Sequence, residues 1–321
     1  MCADQTTGKK LTFQRAAILG ATGPTGKHLA RELKLRGISV RAVSRSEQNL
    51  RRAFADPAIE CVAADVLDVE AARRAIDGCD VVFNCVGLPM DRIADHPRAA
   101  RSVAAAIQHS STHCIYVTGY WAYLPVQQLP ISEAHPRSGG NTVVRLRREA
   151  EDILCDAGAA IVNLPDFYGP EVYAATLQQA LTEALVGKVV NWIGSADTAR
   201  EYIYVPDAMT AVAELACYEA ACGEHWIVPG GGPLTLTQVL RIAERHLGKA
   251  LKARGAGVAV LRLLSLFSRQ LREFMPMVPT YVAPISFDGR KLRALIGDVP
   301  VTPYEEAIAR TLDWLGQRPT P

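Results

Sequence analysis

Three glycines at intervals of three, Gly20, Gly23 and Gly26, lie in the run Ile18-Leu19-Gly20-Ala21-Thr22-Gly23-Pro24-Thr25-Gly26. Glycines also mark ordinary turns, so the flanking residues decide what this run is. Before it, Ala16-Ala17-Ile18-Leu19 is the continuous apolar stretch that a strand buried on both faces requires. After it, Leu29, Leu33 and Leu35 stand among Lys27, Arg31, Glu32, Lys34 and Arg36 as on an amphipathic helix, and Gly37 ends that helix. Ile38-Ser39-Val40-Arg41-Ala42-Val43 then reads as a second strand. A strand, a tight glycine turn and a helix in this order point unpaired N–H groups at the positive end of a helix dipole, where a phosphate is favoured. The pattern predicts a dinucleotide pyrophosphate held at Gly20, Thr22, Gly23, Pro24, Thr25 and Gly26.

The end of the second strand usually selects between the two nicotinamide dinucleotides. An acid there bonds the adenosine ribose hydroxyls and repels a 2′-phosphate, whereas an arginine pairs with that phosphate. This chain has Ser44-Arg45-Ser46 and no acid before Glu47, which favours NADP(H) over NAD(H). The alternative is that Arg45 and Arg41 are solvated surface charges.

Strand candidates recur at 59–63, 81–85, 114–118 and 160–164, each after a helical segment, and such alternation implies a parallel sheet covered on both faces. The expected fold class is α/β, a doubly wound Rossmann parallel sheet with a smaller mixed C-terminal substrate lobe. The boundary falls near Pro170: residues 1–170 form the nucleotide-binding domain and 171–321 the substrate lobe, with some elements returning to the Rossmann core. Contacts to the cofactor should come from the carboxyl ends of the strands. Those ends are Asp65-Val66, Asn84-Cys85-Val86-Gly87, Thr118-Gly119-Tyr120 and Pro165-Asp166-Phe167-Tyr168. In the second half, helix-like stretches cover 173–187, 207–221, 237–247 and 256–275. The segment 258–267 is apolar nearly all round and suits a helix buried in the core, a lid over an apolar pocket or an oligomer contact.

The chain has 321 residues, 49% hydrophobic and 21% charged, enough to bury a large core. A net charge of +2, spread along helices, gives no nucleic-acid footprint. Residues 1–14 lack the apolar stretch of a secretory signal and no run reaches the length of a membrane span. A cytoplasmic monomer or homodimer with a small-molecule substrate and no membrane partner is expected. Eight cysteines include no Cys-x-x-Cys pair, and Cys61, Cys79, Cys85, Cys114, Cys155 and Cys217, mostly in apolar settings, read as buried, reduced thiols. His109 and His113 straddle a turn, so no metal site is expected.

Taken in order, these motifs resemble the short-chain dehydrogenase/reductase superfamily in its extended or atypical, epimerase/dehydratase-like branch, over nearly the whole chain. The glycine run resembles the nucleotide loop and Ala64-Asp65-Val66-Leu67-Asp68 the adenine-contacting segment. Phe83-Asn84-Cys85-Val86-Gly87 is similar to the motif after the fourth strand, and Leu164-Pro165-Asp166-Phe167-Tyr168-Gly169-Pro170 to the turn beside the nicotinamide. Tyr202-Ile203-Tyr204-Val205-Pro206-Asp207-Ala208, Phe287-Asp288-Gly289-Arg290-Lys291 and Asp313-Trp314-Leu315 resemble later junctions of the family.

The resemblance also implies a Tyr-x-x-x-Lys pair, the tyrosine moving a proton and the lysine binding ribose and lowering the tyrosine pKa. Here the pair falls on Val143 and Arg147. The family's Ser/Thr falls on Gly119 or Thr118. Arg147 could still bind a ribose, or be a solvated helix charge; a proton would come from water, from the substrate, or from Tyr120 or Tyr123 near the mouth of the fifth strand. Trp192 and Arg200 lie in a stretch similar to the loop that meets a sugar-nucleotide diphosphate, though Arg200 could equally pair with Glu201 or Asp197 at the surface.

Three functions are compatible with these residues. One is an NADP(H)-dependent oxidoreductase, a reductase of a small, fairly apolar carbonyl or conjugated substrate. The others are a nucleotide-sugar epimerase or dehydratase, and a non-catalytic NADP-binding redox sensor.

Overall fold

The computed structural model describes residues 10–108, 110–299 and 301–317. Residues 1–9, the larger part of the N-terminal stretch read for a signal, and His109 lie outside the described residues. Among the described residues the strands are β1 Arg15–Leu19, β2 Ser39–Ser44, β3 Ile59–Ala63, β4 Val81–Asn84, β5 His113–Gly119, β6 Ala160–Leu164, β7 Asp166–Tyr168, β8 Val190–Ile193, β9 Arg200–Tyr204, β10 His225–Ile227, β11 Pro233–Leu234 and β12 Ala253–Ala256. The helices of the first half are α1 Pro24–Leu35, α2 Glu47–Ala53, α3 Val69–Ile76, α4 His96–Ile107 and α5 Thr142–Asp156. Those of the second half are α6 Thr176–Leu185, α7 Val205–Leu215, α8 Leu236–Leu247, α9 Val258–Ser265, α10 Arg269–Phe274, α11 Val278–Tyr281, α12 Arg290–Ile296 and α13 Tyr304–Gly316.

Seven strands form one sheet in the order β10-β6-β5-β4-β1-β2-β3, and every pairing in it is parallel. The order reverses between β1 and β4, so the crevice in which an open α/β sheet binds ligands opens beyond the carboxyl ends of these two strands. The central strands β1, β4, β5 and β6 are apolar along their length because helices cover both faces, leaving no solvent side to alternate toward. One face packs Ile18, Leu29, Leu33 and Phe83 with Met209 and Val212 of α7; the other packs Leu19, Val82, Ala100, Val103 and Leu154.

The second half is not a separate layer throughout. β10 returns to the edge of the main sheet beside β6, and α7 packs against α1. The remainder forms a small lobe with sheets β11-β9-β7 and β12-β8 around Tyr168, Leu181, Trp192, Val239 and Leu312.

The helix-like stretch expected at 256–275 divides into α9 and α10. Core burial of α9 is overturned. Only Leu261 and Ser265 of the helix are buried, while Val260, Leu263, Leu264, Leu266 and Phe267 are exposed. No helix among the described residues is long and apolar enough to cross a membrane, and no group of three His, Cys, Asp or Glu among them could hold a metal. The seven described cysteines are all free thiols; Cys79, Cys85 and Cys114 are buried as expected, but Cys61, Cys155 and Cys217 are only half-buried.

Candidate active site

A cleft of about 680 Å³ opens at the carboxyl ends of β1, β2, β4, β5 and β6. Its floor is the glycine turn. Gly20 has φ +75°, and a side chain there would place a Cβ 2.8 Å from the Cys85 carbonyl oxygen. A Cβ on Gly26 would lie 2.6 Å from the Ala21 Cα, so this glycine seats α1 against the loop from behind and does not line the cleft. Gly23 is different: its φ is −74° and a Cβ would meet only the Gly20 carbonyl, at 3.4 Å. It is the N-cap of α1, no side chain caps it, and Pro24 follows at the first helical position. The Thr25 and Gly26 amides have no backbone partner among the described residues, which leaves donors for an anion at the helix N-terminus. The cradle fits a pyrophosphate.

From that floor the cleft extends in two directions. Toward β2 and β3 it is lined by Ser44, Arg45, Ser46, Asn49, Ala64, Asp65, Val66 and Leu67. Ser46 caps α2 by accepting from the Asn49 N–H, which holds the Ser44–Ser46 turn, and Asp65 Oδ1 accepts from the Leu67 amide. Arg45 is exposed and bonds no described residue. Arg41, within β2, is not a solvated charge: it is buried, donates to the Ala75 and Asp77 carbonyls and pairs with Glu60.

Toward β4, β5 and β6 the walls are Cys85, Val86, Gly87, Leu88, Val117, Thr118, Gly119, Arg147, Leu164 and Phe167. Asn84 lies just behind. It is buried, and its side-chain oxygen accepts from the Val86 N–H at 3.2 Å, shaping the turn after β4.

Arg147 reaches across from α5. Its Nη2 donates to Thr118 Oγ1 at 2.7 Å, and its Nη1 lies 3.0 Å from His96 Nε2. Burial, reinforced by the Arg147 cation, pushes the His96 pKa down to about 3, so the ring is neutral and can accept. Val143 is 7% exposed, at the position where the resemblance expects a tyrosine. Buried behind Thr118 on the same strand is Tyr116, whose phenol is raised by desolvation and eased back by Arg147.

Several expected site residues lie elsewhere. Tyr120 and Tyr123 are not at the mouth: both turn into a cluster with Val144, Met277, Tyr281 and Phe287, and desolvation raises both phenols far above their ordinary range. Tyr168 is buried against Tyr204 and Tyr304, and Trp192 lies in the core of the small lobe. Pro165 is buried and does not line the cleft.

The surface reading of Arg200 is also corrected. It is 2% exposed, donates to the Thr280 and Ala283 carbonyls at 2.6 and 2.7 Å, and bonds the Tyr120 hydroxyl at 2.9 Å and Asp166 at 3.1 Å. With both terminal nitrogens engaged, this arginine ties 280–283 to β7 and β9.

Sequence reasoning missed His96 and, among the residues lining the cleft, Leu88 and Asn49. No motif marks His96; only its spatial meeting with Arg147, 51 positions away, gives it a role.

Residues 20–159 match the family model described as NAD(P)H-binding. A 4-hydroxy-2-methyl-3-oxo-4-farnesyl-3,4-dihydroquinoline-1-oxide ketoreductase of Stigmatella aurantiaca is 24% identical over 246 residues, 71% of this chain and 72% of that protein. A UDP-glucose 4-epimerase of Rickettsia massiliae (strain Mtu5) is 30% identical over 156 residues, 43% of this chain, so the match spans less than half (46%) of that relative's length. The structure of UDP-glucuronic acid 4-epimerase from Bacillus cereus, in complex with UDP-glucuronic acid and NAD, superposes with a TM-score of 0.78 at 15% identity, covering 94% of this chain and 99% of that one. Residues 20–159 thus match an NAD(P)H-binding family model, and the chain as a whole shares the fold of that epimerase.

Proposed function

We propose that the protein is an NADP(H)-dependent reductase of an apolar carbonyl or conjugated compound. The observation that carries this reading is the 2.7 Å bond from Arg147 Nη2 to Thr118 Oγ1 in the cleft wall. Because Thr118 accepts from Arg147, its own O–H proton can be donated to a substrate oxygen, and the guanidinium adds fixed positive charge where a carbonyl oxygen gains negative charge. The reduced nicotinamide, when bound, supplies hydride. Water supplies the proton finally taken up, since the described residues lining the cleft beside Thr118 include no carboxyl or phenol in place of the missing tyrosine. Val86, Leu88, Val117, Leu164 and Phe167 give this end of the cleft an apolar lining, which suits a lipophilic carbonyl.

Gly20, Thr22, Gly23, Pro24 and Thr25 would hold the pyrophosphate, Asp65 and Val66 the adenine, and Arg147 and Phe167 the nicotinamide half. Ser44 and Arg45 would hold an adenosine 2′-phosphate; that Arg45 is exposed and uncommitted to any described partner supports NADP(H). The ketoreductase relative, whose named substrate is a ring ketone with a farnesyl chain, is consistent with a lipophilic carbonyl. The 30% identity to an epimerase favours the second reading, sugar-nucleotide epimerisation, but Val143 provides no base and Arg200 has no free hydrogen-bonding end for a diphosphate.

The test is NADPH oxidation, followed at the nicotinamide absorbance, against a panel of aliphatic, aromatic and prenylated ketones and enones. Turnover of apolar carbonyls that collapses in Thr118→Val supports the reading. No turnover across the panel, together with bound NAD(H) that persists through purification and is protected by a UDP-sugar, would overturn it in favour of the epimerase.

A further inference from the structure

Helix α9 shows solvent the wrong face. Val260, Leu263 and Leu264, related by three and four residues, share one side of the helix, and Leu266 and Phe267 extend the patch at its end. All five are exposed, Phe267 to 85%. Of the eleven exposed large hydrophobic residues among those described, five fall in these eight positions, so this is a patch and not the usual scatter. The helix is anchored beneath by Leu261 and Ser265 alone, with α10 packed beside it.

Along the sequence the charge flanking the patch is one-sided as well, although Arg269 pairs with Glu273 at 2.8 Å and Arg245 lies 3.7 Å from Glu305. Between Glu244 and Glu273 the chain has no carboxylate and seven cations: Arg245, Lys249, Lys252, Arg254, Arg262, Arg269 and Arg272. The whole protein carries a net +2, so the remainder is net acidic and the positive charge is concentrated here. Arg262 is exposed between Val260 and Leu263, and Arg269 and Arg272 are exposed just past Phe267.

We infer that α9 and the residues that follow it dock the protein on the surface of a membrane containing anionic lipid, with Val260, Leu263, Leu264, Leu266 and Phe267 inserted to the acyl boundary and the arginines among the headgroups. An apolar face bordered by cations is the combination that holds an interfacial helix on anionic lipid. Charge selects this occupant over a second copy of the chain, because a two-fold contact through the same patch would bring the two sets of cations together. At about 12 Å, α9 is far too short to span, so the lack of a spanning run, from which the sequence suggests no membrane partner, does not bear on docking. Helix α10, packed beside α9, also contacts the turn 90–95, which follows Leu88 of the cleft wall in sequence. The inference goes beyond the proposed reaction and is tested without substrate or cofactor.

The experiment is co-sedimentation of the full chain with vesicles of phosphatidylcholine alone and of phosphatidylcholine with about one-third phosphatidylserine, alongside light scattering for oligomeric state. Sedimentation with the anionic vesicles, weakened by salt and reduced about tenfold or more both in Leu263→Glu/Phe267→Glu and in Arg262→Glu/Arg269→Glu, is the expected result. These side chains are exposed, and unchanged thermal melting and circular dichroism confirm that the variants fold. Three results overturn the inference: no sedimentation with either vesicle, binding indifferent to the substitutions, or a dimer that Phe267→Glu dissociates, which would make a second copy the occupant.

Discussion

Arg147 Nη1 stands 3.0 Å from His96 Nε2 while its Nη2 stands 2.7 Å from Thr118 Oγ1, so one guanidinium joins the start of α4 to the end of β5. The planar fork makes both contacts at once, which a lysine ammonium on a flexible stem cannot reproduce. Arg147→Met should lower kcat with the best carbonyl about a hundredfold, and Arg147→Lys should recover part of that loss. His96→Leu should lower kcat about tenfold with little change in the Kd for NADPH, because the arginine loses its brace and not its charge. Because His96 stays neutral above about pH 4, its contact to Arg147 contributes no pH dependence to kcat in the neutral range. Steady-state kinetics with separate titration of NADPH checks each point; equal activity in Arg147→Met would remove Arg147 from the mechanism.

Cofactor choice rests on a different arginine. Arg45 lines the cleft at the end of β2, exposed and without a described partner. Arg45→Glu should weaken NADPH by about ten- to a hundredfold and leave NADH within about threefold, since only the former carries the 2′-phosphate that the substitution repels. Calorimetric titration of both cofactors decides it; parallel weakening of the two would mean that Arg45 does not read the phosphate.

The glycines of the loop should separate binding from folding. At Gly23 the backbone already has an ordinary φ and a Cβ has room, so Gly23→Ala should melt within about 1 kcal/mol of the parent yet lose about tenfold or more in NADPH affinity, because the new methyl lies on the cleft side. At Gly26 the same methyl lands 2.6 Å from the Ala21 Cα, and Gly26→Ala should cost about 1–3 kcal/mol before any nucleotide is added. Thermal melts with and without NADPH distinguish the two.

Arg200 should matter to stability rather than to binding. Arg200→Met removes four hydrogen bonds and leaves Asp166, whose carboxyl is already raised by desolvation, without its cation. The cost should be about 3–5 kcal/mol in urea unfolding, with the NADPH Kd of the folded fraction unchanged. A loss under about 1 kcal/mol would refute the structural role.

How much of this was legible in the sequence follows from which interactions are local. Parallel strands covered on both faces must be apolar throughout, so β6 is found at 160–164 as expected and β4 differs by one residue. The glycine turn is likewise local, and nearly all of its expected residues line the cleft. Direction was not legible. The apolar periodicity of 258–267 shows that a stripe exists, not which way it faces, and only its packing on Leu261 and Ser265 turns it outward. Tyr120 and Tyr123 follow the right strand but rotate into the core, and the burial of Arg200 depends on carbonyls 80 and 83 positions away. Partners at such distances leave no mark on a motif.

Glu151 on α5 provides the pH prediction. It is fully buried; its side chain accepts from Asn163 Nδ2 at 3.0 Å and pairs with Arg137 at 3.1 Å. Burial outweighs the Arg137 and Arg147 cations and pushes its pKa up to about 7, while His225, 3.9 Å away, is pushed down to about 4 and stays neutral at neutral pH. Asp152, on the same helix and also paired with Arg137, adds to the upward push. A carboxyl whose folded pKa exceeds its unfolded value of about 4.3 binds more protons in the native state between the two. Its contribution to stability is therefore greatest below the unfolded value and declines as the pH rises toward about 7, by something on the order of 3 kcal/mol. Glu151→Gln keeps an acceptor for Asn163 and cannot ionise, so unfolding free energies measured in urea across this range should show a shallower fall with pH than in the parent. A parent and variant with the same slope would place the Glu151 pKa near its ordinary value, and the Arg137 pair would then be an ion pair throughout.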